Sequence, residues 1–303
     1  MAVTSSKYGF PSSEGMDLGN IDAMTDAEKE VFWGKKIARR NGKLMYPVTA
    51  YSFLIDNRSD MLKLHFRQMQ FLHSFPEDEP LGRPTTCVTM LHWYACQRVR
   101  DGIIHEIRSC QELGATRAQI NEILGLAFMH SGPSGFNEVY YQAFDYMESY
   151  QEPEHKIKFP TGWEPEPAAF LSGLDFENPE LGAGEEALLF KWYEDTIGYV
   201  PRSVQLLTRY NPRFMKANRA KFEGAFRTGA LPKQMAPYIM IHYNMNRGFR
   251  EGIREATLLG KAWGMRREHV VGAITLGTGY MAGMDALYIV DEAIGDILET
   301  WDQ

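Results

Sequence analysis

A chain of 303 residues, 44% hydrophobic and 13% aromatic, carries enough apolar material to bury two substantial cores. Its net charge of −7 is spread along the chain and no basic stripe appears, which argues against nucleic acid as a partner. The longest apolar runs, such as Ala236 to Ile241, are too short to span a bilayer, and Met1 to Asn20 is polar without a charged-then-apolar leader, so no membrane partner and a cytoplasmic location are expected. In chain order, Thr25 with Glu28 predicts a capping box that opens a helix over Asp26 to Arg39. Ser59 caps a second helix over Asp60 to Leu72, where Leu62, Phe66 and Met69 keep an apolar stripe. An apolar helix follows over Val88 to Gln97. Thr116 with Gln119 opens another after Gly114, whose flexible backbone suits the preceding C-terminal turn. Residues Gln151 to Glu185 are proline-punctuated and cannot form a long helix. They hold Trp163, Phe170 and Phe176, so a linker packed across the domain seam is expected. Beyond it, Asn211-Pro212 marks a helix start and Gly264 a helix stop. β-branched alternation never runs beyond a few residues, so the expected fold class is all-α. Cys87, Cys96 and Cys110 form neither a CxxC nor a disulfide framework and read as small buried thiols.

The chain contains itself twice. Shifted by 150 positions, Met90, His92, Arg100, Gly102, Ile103, Gly114, Arg117 and Leu126 fall on Met240, His242, Arg250, Gly252, Ile253, Gly264, Arg267 and Leu276. Further upstream, Pro47, Asn57 and Met61 match Pro201, Asn211 and Met215 after a four-residue slip. A fixed internal period marks duplicated units whose apolar faces bury one another. The expected organisation is an extension over 1–25, helical domains over 26–150 and 185–303, and a linker over 151–184.

The order Asp101-Gly-Ile-Ile-His105, Leu113-Gly-Ala-Thr116, Ile120 to Ala127 and Pro133 to Asn137 resembles the carboxymuconolactone decarboxylase / AhpD-like superfamily. The resemblance covers roughly 26–150 and 185–300 and implies two tandem AhpD-like helical domains forming an internal pseudo-dimer. The hydroperoxidase branch of that family uses a CxxC pair, a His four residues on and a Glu upstream. Those positions hold Val99, Gly102, Glu106 and, near the Glu position, Cys87; the second copy has Phe249, Gly252, Ala256 and Pro237. A peroxidatic mechanism needs a low-pKa thiolate with a resolving partner, so thiol hydroperoxidase activity is rejected. The decarboxylase branch carries a Glu followed four residues later by a His. Asp101 and His105 fit that spacing with one residue inserted before Gly114, which sets a carboxylate beside an imidazole one helical turn apart.

Four groups are therefore catalytic candidates: His105 as general acid/base, Asp101 to orient it and raise its basicity, and His92 or His130 as a second proton-transfer group. His92 and His242 occupy equivalent places in the two copies, each either a hydrogen-bonded core residue or a site residue. Arg100, matched by Arg250, reads as a structural ion pair or as the anchor for a substrate anion. Trp93, Tyr94, His242 and Tyr243 are candidates to line a pocket for an aromatic ligand. No HExxH spacing and no glycine-rich phosphate loop occur, so neither a metal nor another cofactor is expected.

These readings converge on a cofactor-free lyase or isomerase, a decarboxylase or ring-opening enzyme, acting on a small carboxylated or carbonyl compound of aromatic origin. The competing reading is a non-catalytic helical binding or scaffold protein with a decayed site. The resemblance also implies a homo-oligomer, trimer or dimer. The halves are expected to differ. Asp101, His105 and His130 are matched by Glu251, Glu255 and Tyr280, leaving the second copy without a group that titrates near 7 unless burial raises a carboxyl strongly. Its turn, with Gly283 in place of Pro133, is expected to differ in shape.

Overall fold

The computed structural model describes residues 58, 61, 65, 68 and 82–303, with Asp101, Ser134 and Gly135 described by backbone alone. The helix expected over Asp26 to Arg39 lies outside the described residues. Of the one expected over Asp60 to Leu72, Met61, His65 and Gln68 are described, all helical. All regular structure among the described residues is helical, with no strand. None of these helices is long and apolar enough to cross a membrane. The chain divides into two compact units, 1–120 with 133–160, and 121–132 with 161–303.

In unit 1, α1 (Arg83–Gln97) opens with Pro84 in its first turn, where no amide proton is needed. The Thr85 and Thr86 hydroxyls donate back to Gly82 O at 2.8 and 3.2 Å. The helix is buried continuously from Arg83 to Ala95, as befits one that is largely uncharged on every side. Arg98, at φ 59, and the extended Val99 join it to α2 (Arg100–Glu112). Gly114, at φ +100, follows α2 as the flexible turn expected there. Thr116 and Gln119 then form the expected reciprocal cap of α3 (Arg117–Glu148). Gln119 N donates to Thr116 Oγ1 at 3.2 Å and Thr116 N to Gln119 Oε1 at 2.9 Å. The first ten linker residues belong to this unit, tied by Ile157 N to Gly114 O at 2.9 Å and by the Gln111 amide to Gln151 O at 2.6 Å.

Unit 2 holds the 3-10 turn Pro167–Phe170 and helices α4 (Ala183–Ile197), α5 (Arg202–Tyr210), α6 (Pro212–Ala225), α7 (Met235–Asn246), α8 (Arg250–Ala262), α9 (Arg267–Gly277) and α10 (Ala286–Glu299). Asn211 caps α6 as expected, its side chain accepting from Phe214 N at 3.3 Å with Pro212 in the first turn. The later linker residues are pinned here. Trp163 packs edge-on against Tyr238 and His269, and Phe170 stacks on Phe226 at 4.1 Å. The buried Arg219 donates to Glu223 Oε1 at 2.8 Å and lies 3.8 Å over the Trp192 ring, while Glu223 accepts from Ser172 N at 2.9 Å. The segment 121–132 groups with this unit through Glu122. Its buried carboxylate accepts from Ala230 N at 2.9 Å, Leu231 N at 3.1 Å and the Thr228 hydroxyl.

The repeat is visible in the elements. Helix α7 is buried from Met235 to Met245 at every position but Met240, and α8 starts 150 residues after α2. Both helix pairs rely on a glycine at the close approach. A methyl group at Gly102 would come within 2.6 Å of Tyr94 Cγ, and one at Gly252 within 2.6 Å of Asn244 Cγ. Gly102→Ala and Gly252→Ala are each expected to cost about 1–3 kcal/mol by overpacking, read as a lower denaturant midpoint at unchanged slope. An unchanged midpoint would mean that the helices separate freely.

The two copies break their helices at a glycine. Gly132 interrupts α3 at φ 67, ψ 178, and Gly283 follows a π turn (Thr278–Ala282) at φ 67, ψ −179. The two glycines share one backbone geometry, but the turns differ as expected: the first copy runs on as a kinked helix, while the second passes through a π turn into a non-helical turn. A π turn absorbs one extra residue, and the counterpart of Gly283 is Gly132, one position from the Pro133 of an ungapped comparison.

Candidate functional site

Helix α2 turns one face toward α1. Gly102, His105, Glu106, Ser109 and Cys110 are all buried. The Asp101 side chain, expected beside His105, lies outside the described residues. Among the described residues the carboxyl next to His105 is Glu106, with Oε1 3.7 Å from His105 Nε2. Glu106 also takes a hydrogen bond from the Cys87 thiol on α1, one turn after the buried Arg83, while Cys110 follows one turn along α2. Its other oxygen, Oε2, is buried without a hydrogen-bond partner among the described residues.

Burial decides the protonation of this cluster. It pushes the Glu106 carboxyl up to about 7, although the Arg83 charge and the Cys87 hydrogen bond pull the other way. It pushes His105 down to about 3, helped by the charges of Arg83 and Arg108. The expected rise in His105 basicity is therefore reversed. At neutral pH the ring is neutral, and its contact with Glu106 is imidazole to carboxyl rather than an ion pair. Burial also drives the Cys87 and Cys110 thiols well above their ordinary range, which leaves them without thiolate character.

His92 is wholly buried, with Nε2 3.6 Å from Cys96 Sγ one turn on. Trp93 and Tyr94 are buried, Tyr94 against Gly102. Arg100 is exposed, and its Nε donates to Glu138 Oε1 at 2.7 Å. Its counterpart Arg250 makes a similar exposed pair with Glu292. Exposed pairs of this kind contribute little to stability.

In unit 2, His242 is wholly buried, and burial pushes it down to about 3. Asn246, one turn on, donates to His242 O at 2.7 Å, so a polar residue stands four positions after the histidine in both copies. The His130 ring stacks on Tyr243 with centroids 4.5 Å apart and planes 8° from parallel, and Tyr243 OH donates to His130 O at 3.3 Å. Burial, then the charges of Lys221 and Arg247, bring His130 down to about 4. Glu255, opposite His105 in the repeat, is half-buried, and burial together with the Glu251 charge pushes it up to about 7. The second copy thus does hold a group titrating near neutrality, the exceptional case in which burial dominates.

Residue-type reasoning does not single out Glu106, Glu255, Lys221 or Arg247 as site residues. Glu106 has a visible signal, since it stands four residues before Cys110 on the buried face of α2; the others depend on burial or on partners remote in sequence. Comparison of the chain with family models, with curated proteins and with solved structures gives no match.

Proposed function

We propose that the protein is a cofactor-free enzyme that moves a proton at a carbon next to a carbonyl, as a lyase or isomerase acting on a small carboxylated or carbonyl compound. The observation that carries this reading is the buried Glu106 carboxyl, with one oxygen unpartnered among the described residues and the other 3.7 Å from a neutral imidazole. A carboxyl poised near 7 takes and returns a proton at working pH, and a neutral imidazole polarises a carbonyl without competing for that proton. In these roles Glu106 is the general base and then the acid, and His105 holds the developing enolate oxygen. The order of motifs resembling the carboxymuconolactone decarboxylase superfamily is a second support, and the duplicated helices support a fused pair.

Incubation with a panel of small aromatic and unsaturated keto acids, lactones and carboxylates in heavy water tests the proposal. Enzyme-dependent exchange of the α-hydrogen, or release of carbon dioxide, is expected to survive chelator treatment and to vanish in Glu106→Gln. Metal-reversible loss on chelation would overturn the cofactor-free mechanism. Binding of panel members with no turnover of any would favour the scaffold reading.

A further inference from the structure

A second set of side chains, in unit 2, has the chemistry of a ligand site and no part in the proton-transfer proposal. Phe128 and His130 come from α3, Lys221 from α6, Tyr243 from α7, and Arg247 follows the end of α7. The Lys221 ammonium lies 4.6 Å over the Phe128 ring, and the Arg247 guanidinium 5.8 Å over the Tyr243 ring. The His130 ring stacks face to face on Tyr243, the ring that Arg247 overlies. Both cations are exposed, while Phe128 and His130 are half-buried and Tyr243 is buried. Several other cations of this acidic chain sit against a carboxylate, among them Arg100, Lys216, Arg219, Lys233 and Arg254. Lys221 and Arg247 pair with no carboxylate among the described residues. Both charges act on His130, where after burial they depress protonation of the ring.

Two uncompensated cations flanking aromatic surface match a flat anion. A guanidinium binds a carboxylate through paired hydrogen bonds, an ammonium adds a point charge, and ring faces pack against a planar ligand. We propose that this patch of unit 2 binds a small aromatic carboxylate, its anion held by Arg247 and Lys221 and its ring laid along the His130–Tyr243 stack. The site does not need Glu106 or His105, so it stands or falls separately from the proposed reaction.

Titration of the full chain with benzoate at fixed low ionic strength, followed by ligand-observed NMR, tests it. Cyclohexanecarboxylate and inorganic phosphate serve as probes of charge without an aromatic ring. Saturable benzoate binding is expected, tighter than for either probe. It should weaken at least tenfold in the Lys221→Met/Arg247→Met double variant, whose two exposed positions leave the helical circular dichroism unchanged. Benzoate binding that is absent, matched by either probe, or unaltered in the folded double variant would overturn the site. Glu106→Gln is expected to bind benzoate as the unaltered protein does. Loss of turnover with binding retained separates the two proposals.

Discussion

Glu106→Gln and His105→Ala are each expected to lower turnover by roughly two to four orders of magnitude, the range for a positioned proton-transfer group. The two variants should fail differently. With Glu106 at about 7 in the folded protein, the rate is expected to rise with pH through an inflection at about 7 as the carboxyl ionises to its basic form. Glu106→Gln should erase that inflection. His105→Ala should keep it while kcat falls, because a ring held down to about 3 does not titrate in this range. Glu255→Ala should cost much less. Glu255 also titrates at about 7, but the matching positions of the second copy hold Glu251, Glu255 and Ala256, which offer carboxyls without an imidazole. If Glu255→Ala is the more damaging change while all three proteins stay folded, the chemistry belongs to the second half.

Local signals in the sequence carry most of the helical architecture. The Thr116–Gln119 cap and the Asn211-Pro212 start are written in a few consecutive residues, and both appear as hydrogen bonds. The 150-residue register of the sequence recurs in the helix starts, since α2 and α8 begin at Arg100 and Arg250. What escapes depends on distance along the chain. Glu122 bonds the amides of Ala230 and Leu231, far away in sequence, and nothing near Glu122 announces that it belongs with unit 2. The Gly132–Gly283 correspondence escapes because a π turn hides its extra residue inside a continuous helix.

The candidate site is half legible for a related reason. Helical spacing sets Asp101 beside His105, but the Asp101 side chain lies outside the described residues, and the carboxyl found 3.7 Å from His105 Nε2 is that of the adjacent Glu106. Spacing cannot tell whether that imidazole is wet or dry. Dryness lowers the ring instead, because desolvation penalises its charged form and the Arg83 and Arg108 charges act in the same direction. Arg100 illustrates the converse. Its match in both copies is real, yet its guanidinium is engaged with Glu138 at the surface, while Lys221 and Arg247, two of the cations that lie over aromatic rings, bear no motif at all.

The same dryness makes the fold sensitive to acid, with a maximum of stability expected at about pH 6–7. His105 and His242 are held down to about 3, and His130 and His269 to about 4, each chiefly by burial. Above the ordinary value of 6.5 these rings are neutral in both folded and unfolded chains. Below it the unfolded chain takes protons that the folded one refuses, so stability is lost as pH falls from 6.5 toward about 3. At about pH 4, His105 and His242 alone shift the balance by about 3 kcal/mol each, against a typical net stability of about 5–15 kcal/mol. Glu106 acts with the opposite sign. Its folded value lies above the ordinary 4.5, so its contribution is complete below 4.5 and is lost as pH rises to about 7, a swing of about 3 kcal/mol. Urea titrations from about pH 4 to 8 should therefore show Glu106→Gln gaining on the unaltered protein across that interval and keeping the gain above it. A pH-independent difference would mean that Glu106 is not the buried titrating group. A variant that gains stability in mild alkali while losing turnover would identify Glu106 as a carboxyl retained at the expense of the fold, which is what a functional group in a dry interior looks like and a structural one does not.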